Sequence, residues 1–200
     1  MPARALRTPL TLAVLSLLRE GPRHPYEIQA LVRERHIDQV VKMRGGSLYD
    51  AIGRLAEAGL ITTVGSERAG ARPERTVYAI TAEGAAVADA LVREYLRTPA
   101  QDFPVFATGL AHILALDAAT AAELLRERRE KIRATHDRVA RELAADTAGL
   151  PRVVTLEAEY AQAMRAAELA WLDRVLRDLG TGGLPWLDVA AAPPSGGPRP

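Results

Sequence analysis

The amino-acid sequence predicts a mainly α fold in two parts, an α+β N-terminal domain followed by an all-α C-terminal domain. Residues 9–58 contain three segments whose apolar residues recur at helical spacing, and residues 60–80 contain two segments with strand character. Beyond a proline-containing boundary, two much longer helical segments occupy residues 118–146 and 152–179. The order of these segments, more than any single residue, determines the prediction.

Composition narrows the classes of function. The 200 residues suffice for two small domains, and a hydrophobic fraction of 48% supplies their cores. The absence of cysteine excludes disulfides, thiolate metal sites and a cysteine nucleophile. Residues 1–80 hold 12 Lys and Arg against 8 Asp and Glu, whereas residues 81–200 hold 14 against 17. This asymmetry is expected if only the first domain contacts nucleic acid.

The N-terminus superficially resembles a secretion signal, because Arg4 and Arg7 precede the apolar run Leu10–Leu18. The charged and turn-forming residues Arg19–Pro22 follow it, with no small-residue cleavage site. No apolar run approaches the roughly 18 residues of a membrane span. We therefore expect a cytoplasmic protein with no membrane partner.

Two helices open the N-terminal domain. Thr8 and Pro9 form a typical N-cap and first helical residue, and Gly21-Pro22 ends this first helix. Pro25 opens the second helix. The apolar stripes are Leu10, Ala13, Val14, Leu17 and Leu18 in the first helix, and Ile28, Leu31 and Val32 in the second.

The third helix, within Gly45–Ile61, carries the functional interpretation. Ser47 has Asp50 three residues later, the capping-box pattern, and Gly59 ends the helix. Leu48, Ile52 and Leu55 form an apolar face, and the outer face carries Ser47, Asp50, Ala51, Arg54 and Ala58. A short helix with a narrow outer face fits the DNA major groove, where arginine reads guanine or phosphate. The same pattern also fits an ordinary packed helix with a solvated face.

Residues 60–67 and 75–80 are predicted strands, joined by a turn-rich loop that carries Arg68 and Arg72. Three helices followed by a hairpin with a basic tip form the winged helix-turn-helix plan. In that plan the third helix enters the major groove and the hairpin, or wing, contacts the adjacent backbone. A fourth helix, residues 82–97, follows Thr81 and completes a DNA-binding domain of residues 1–97. Its expected buried positions are Ala86, Leu91 and Tyr95.

The remaining chain is predicted to be a helical dimerisation and effector domain at residues 98–180, followed by a disordered tail at residues 181–200. It begins with a short apolar helix, residues 105–116. The two long helices have apolar faces too broad to be buried against each other alone, which favours cover by a second copy of the chain. Trp171, on an interhelical face, either lines a ligand cavity or packs in a dimer core.

Three segments together resemble the PadR family of bacterial winged-helix transcriptional regulators. They are Pro22–Ile28 with the preceding leucines, Gly46–Ile61, and Arg75–Thr81 with Gly84. The resemblance implies a homodimer that binds a roughly palindromic operator, usually as a repressor. It further implies dimerisation through the C-terminal helices and, in some members, release of DNA by an aromatic or drug-like effector. This chain departs from the family pattern at Pro25, where glycine is usual, and at Asp50, where proline is frequent.

These considerations define the candidate site. The expected DNA-contacting residues are Tyr26, Lys42, Arg44, Ser47, Tyr49, Arg54, Arg68, Arg72 and Arg75, and the expected effector contact is Trp171. We predict no enzyme activity, metal site or cofactor, since no nucleophile-base pair, phosphate loop or metal-ligand spacing occurs. The alternative function is a winged-helix protein-protein interaction module, because Asp50 and Glu57 make the third helix less basic than most DNA readers.

Overall fold

The computed structural model of the chain describes residues 6–43, 46–67, 75–99, 104–146 and 151–187. Within these ranges only the backbone is described for Gln39, Ser66, Glu67, Arg75 and Asp146. The chain divides into two compact units, residues 1–102 and residues 103–200. None of the helices in the described ranges combines the length and the apolar character that crossing a bilayer requires.

The N-terminal unit has the predicted α+β architecture. Its elements are α1 (Pro9–Arg19), α2 (Pro25–Glu34), α3 (Ser47–Glu57), β1 (Ile61–Glu67), β2 (Arg75–Ile80) and α4 (Ala82–Arg97), with a 3-10 turn at Ile37–Gln39 between α2 and α3. Three helices, a two-stranded antiparallel sheet and a further helix make up a winged helix. The fold class predicted from the sequence is therefore confirmed.

The core of this unit forms where the apolar stripes of the helices meet. Its fully buried side chains include Val14, Leu15, Leu17, Leu18, Ile28, Val32, Leu48, Leu55 and Leu91. On α4, the buried face is formed by Val87, Ala88 and Leu91. The prediction that Ala86 and Tyr95 are buried is wrong: Ala86 lies on the outer side of the helix, and Tyr95, one turn after Leu91 on the same face, remains 39% exposed.

The helix starts differ in one respect from the prediction. Thr8 Oγ1 accepts a hydrogen bond from the Thr11 amide at 3.1 Å, as its N-cap position predicts. The capping box predicted for Ser47 is wrong, since Ser47 is the first residue of α3 and Gly46 is its N-cap. The carbonyl of Gly46 already accepts from the Asp50 amide at 3.0 Å, so Ser47 lies inside the first turn.

Strands β1 and β2 pair from Ile61–Ile80 to Glu67–Arg75, with a bulge at Val64 that shifts the register. Arg23 and Tyr78 exchange two backbone hydrogen bonds of 2.9 and 3.0 Å, which joins the α1–α2 connection to the sheet. The side chain of Thr81 donates to the carbonyl groups of Gly59 and Leu60, in the connection between α3 and β1. The wing base is thereby attached to the helices on both sides.

The C-terminal unit consists of α5 (Val105–Ala111), α6 (Ala118–Asp146) and α7 (Leu156–Thr181), with 3-10 turns at Ile113–Ala115 and Arg152–Thr155. Helices α6 and α7 are antiparallel, because Arg128 pairs with Glu168 whereas His136 accepts from Gln162 further along α6. The Trp186 indole donates to the Leu116 carbonyl at 3.0 Å. Residues 188–200 of the predicted tail lie outside the described residues.

Candidate nucleic-acid interface and effector site

Helix α3 presents one continuous exposed surface. With about 100° between successive residues, five of its exposed residues fall within a single arc, the α3 arc: Tyr49, Asp50, Gly53, Arg54 and Glu57. The buried residues Leu48, Ala51, Ile52 and Leu55 occupy the other side. Ala51, which the sequence analysis placed outward, is thus a core residue, because at about 100° per residue its Cβ direction lies beside that of Leu55, at the edge of the apolar face.

Several arginines of the N-terminal unit have structural roles. The Glu20 carboxylate accepts from Arg35 at 2.5 and 2.9 Å and from Arg23 at 3.0 Å, which ties the ends of α1 and α2 together. The hydrogen bonds from Arg35 are the main reason that the pKa of Glu20 is lowered. Arg19 likewise donates to Asp89 at 2.8 Å and lowers the pKa of that carboxyl. These arginines are used to hold the unit together.

Lys42 and Arg54 differ from those arginines. Both side chains are exposed, and neither forms an ion pair with any residue in the part of the chain that the structure describes. Lys42 lies in the connection before α3, and Arg54 lies in the α3 arc. A cation that no internal carboxylate neutralises keeps its charge available for a phosphate or a base edge.

Two exposed tyrosines lie near the starts of helices. Tyr26 is 63% exposed in the first turn of α2, and Tyr49 is 54% exposed in the first turn of α3. The Tyr26 amide donates to His24 Nδ1 at 3.1 Å, and the His24 amide donates to Glu27 at 2.7 Å, a reciprocal cap that fixes this helix start. This cap was missed in the sequence because histidine is an unusual capping residue.

The other predicted DNA contacts are only partly described. Arg44, Arg68 and Arg72 lie outside the described residues. The backbone of Arg75 pairs with Glu67 at the end of the hairpin next to the connecting loop, and nothing is described of its side chain. Ser47 is half-buried at the start of α3. Tyr49 and Arg54 are therefore the predicted contacts that lie together in the α3 arc.

Sequence reasoning also missed Gly53 in the α3 arc. A Cβ at this position meets no atom within 4 Å, so the packing of the unit does not require a glycine here. Glycine in a helix interior costs about 1 kcal/mol relative to alanine. The signal in the sequence was a glycine on the outer face of an otherwise strong helix.

Trp171 lies at an aromatic contact in the C-terminal unit. Its ring meets Phe106 edge to face, with centroids 6.0 Å apart and planes at 83°. Phe106 and Arg128 line a cavity of about 300 Å³ between α5 and α6. Trp171 is not among the described residues that line this cavity, but it packs against Phe106, which is. Neither Phe106 nor Arg128 was identified from the sequence, because their proximity depends on the folding of α5 onto α6.

Comparison with known proteins complements this geometry. Residues 14–90 match the Transcriptional regulator PadR-like family. No curated protein sequence is similar enough to count as a match.

Solved structures resemble nearly the whole chain. Bacillus subtilis PadR in complex with operator DNA superposes with a TM-score of 0.72 at 20% identity, over 90% of this chain and 99% of that one. The same protein in complex with p-coumaric acid gives 0.68 at 19% identity, over 86% and 99%. A PadR-like regulator from Bacillus cereus gives 0.60 at 19% identity, over 86% and 98%. At these identities the likeness concerns the fold.

Proposed function

We propose that this chain, whose residues 14–90 form a domain of the transcriptional regulator PadR-like family, is a dimeric, sequence-specific DNA-binding regulator. We further propose that it is a repressor, released from its operator by a small-molecule effector, and that it acts in the cytoplasm by binding rather than by catalysis. The observation that supports this most directly is the α3 arc, an uncovered helix surface that includes Arg54.

The α3 arc has the dimensions and chemistry of a major-groove reader. Tyr49 and Arg54 project from one short helix, and the opposite side is anchored in the core through Leu48 and Leu55. Arg54 is assigned to guanine or phosphate, and the Tyr49 hydroxyl to phosphate. Asp50 and Glu57 in the same arc carry negative charge, so further phosphate contacts are expected from neighbouring elements.

Those neighbouring contacts are assigned to residues on either side of α3. Lys42 and Arg44 precede it, Ser47 opens it, and Tyr26 is exposed at the start of α2. The wing carries Arg68, Arg72 and Arg75. Contacts to phosphate position the protein on the duplex and make its affinity depend on salt, whereas contacts to base edges carry sequence information.

The C-terminal unit is assigned to dimerisation. Exposed apolar side chains cluster where α7 begins: Val153, Val154, Leu156, Tyr160 and Met164. Burying such a surface against a second copy removes it from water. A two-fold dimer places two α3 arcs about one helical turn of DNA apart, so the operator is pseudo-palindromic.

The effector is assigned to the C-terminal unit as well. Bacillus subtilis PadR has been crystallised both with operator DNA and with p-coumaric acid, an arrangement expected of a regulator controlled by a small molecule. In this chain, Trp171 and the cavity beside Phe106 are the corresponding candidates. A ligand that favours one dimer geometry over another shifts the spacing of the two α3 arcs and weakens DNA binding.

Selection of bound duplexes from a random DNA pool tests the proposal. Enrichment of a pseudo-palindromic sequence, with an affinity that falls steeply as salt rises, is the expected result. If no sequence is enriched and duplex binding is independent of salt, the alternative of a protein-protein interaction module is favoured. That alternative rests on the two carboxylates in the α3 arc, Asp50 and Glu57.

A further inference from the structure

The cavity in the C-terminal unit is apolar and has the size of a small-molecule site. Its volume is about 300 Å³, at the lower end of the range of roughly 300–1,000 Å³ for ligand pockets. Phe106, Gly109, Leu110 and Ile113 line one side at helical spacing, so they form one face of α5 and of the turn after it. The opposite side comes from the start of α6.

Charge in this cavity is confined to one group. Among the described residues that line the cavity, Arg128 alone is charged, and its charge is already compensated. Arg128 Nε donates to Glu168 Oε1 at 2.6 Å. The same guanidinium stacks on the Phe106 ring, with Cζ 3.6 Å from the ring centroid. The arginine is thus held from both sides by residues of the C-terminal unit itself.

We propose that this cavity binds a neutral aromatic molecule in preference to a carboxylate, because Glu168 already compensates the positive charge of Arg128. An entering carboxylate would have to share the Arg128 guanidinium with Glu168, which places two negative charges against one cation in a partly buried site. A neutral ring gains about 25 cal/mol for each Å² of apolar surface that it buries, and it packs against Phe106.

That the ligand acts as an effector rests on the proposed function. The preference of the cavity for neutral ligands is independent of the proposed function. Isothermal titration of the full chain without DNA therefore tests the preference directly. The probes are 1-naphthol and 1-naphthoate, which share a ring system and are neutral and anionic, respectively, at pH 7. We expect 1-naphthol to bind more tightly by about ten-fold or more. Equal or tighter binding of 1-naphthoate overturns the proposal.

The variant Glu168→Gln tests the cause of the preference. It keeps the size of the side chain but removes the charge that compensates Arg128. The affinity ratio of the two probes should then shift towards 1-naphthoate by about ten-fold. An unchanged ratio, in a variant with the helical circular dichroism of the parent, contradicts the assigned role of Glu168.

The pair Gly109→Leu and Gly109→Ala tests the location. An added Cβ at Gly109 meets no atom within 4 Å, so alanine should preserve 1-naphthol binding, whereas leucine should fill the cavity and abolish it. As a second readout, 1-naphthol should change the fluorescence of Trp171 in a Trp186→Phe background, where it is the sole tryptophan. If 1-naphthol still binds the Gly109→Leu variant and leaves the Trp171 emission unchanged, the ligand lies elsewhere and the proposal is overturned.

The titrations with 1-naphthol and 1-naphthoate contain no DNA. If the protein binds 1-naphthol as expected but does not bind DNA, that result counts against the proposed function alone.

Discussion

The backbone of Gly84, in the first turn of α4, lies directly against the carbonyl oxygen of Leu60, with no room for a side chain between them. The Leu60 carbonyl also accepts from the Thr81 amide and hydroxyl, and the Gly84 amide donates to the Thr81 hydroxyl at 3.0 Å. The end of α3, the start of β1 and the start of α4 are joined at this point.

Replacing Gly84 by alanine should therefore destabilise the N-terminal unit. The added methyl group would overlap the Leu60 carbonyl, and relieving such a clash costs about 1–3 kcal/mol. Urea unfolding followed by circular dichroism measures the loss. Gly65→Ala, in β1, serves as a control, since a Cβ there meets no atom within 4 Å. Equal stability of the Gly84→Ala variant and the parent contradicts the close approach.

Arg54→Ala should weaken binding to the selected operator. Loss of one arginine that reads a base costs about 1–3 kcal/mol and relaxes the sequence preference at that base pair. If Arg54 contacts phosphate instead, binding should weaken about equally for all sequences and the salt dependence should become shallower. Fluorescence anisotropy against matched and mismatched duplexes separates the two outcomes. Arg141→Ala, an exposed arginine of α6, is the matched control. Unaltered operator binding by Arg54→Ala rejects both roles.

Gly53→Ala should separate stability from function. Removing a glycine from the interior of an exposed helix stabilises it by about 1 kcal/mol. If the α3 arc approaches DNA closely at Gly53, the new methyl group should nevertheless weaken operator binding. A variant that is more stable and binds the operator as tightly as the parent indicates that no close approach occurs there. Unfolding and anisotropy titrations on the same preparation provide both values.

The protein should be a dimer in solution, with about twice the 21.6 kDa of one chain. The exposed apolar residues at the start of α7 are the expected interface, so Met164→Glu should favour the monomer by burying an unpaired charge there. Light scattering over a range of concentrations measures the mass. Arg177→Gln, an exposed residue on a different face near the end of the same helix, is a control for nonspecific effects. A mass of 21.6 kDa at every concentration would falsify the assignment.

The ion pairs of Glu20 should make the stability of the N-terminal unit decrease in acid. Hydrogen bonds from Arg35 lower the pKa of this carboxyl in the folded state below its ordinary value of 4.5. The carboxyl of Glu20 therefore binds a proton less readily in the folded state than in the unfolded state. Its contribution to the free energy of unfolding is fully present above pH 4.5. That contribution is lost as the pH falls through the lowered pKa. The difference in unfolding free energy between the parent and Glu20→Gln should accordingly shrink in acid. A difference that does not vary with pH argues against this linkage.

Local patterns predicted the helices and strands well, because hydrophobic periodicity and turn residues act over a few neighbouring positions. The bounds of α6, residues 118–146, and of β2, residues 75–80, follow from such patterns. The bulge at Val64 could not be predicted, since a shift of register is defined only relative to the partner strand. The burial of Ala51 depended likewise on where α3 meets the rest of the core.

The sequence by itself determined the order of elements and identified Arg54 as an outward arginine, because the spacing of Leu48, Ile52 and Leu55 already defines the inner face of α3. Only the tertiary structure decided how the other charges are used. It pairs Arg35 with Glu20 across 15 residues and Arg128 with Glu168 across 40. Ion pairs between distant positions depend on distances in space, and those distances exist only after the helices have packed.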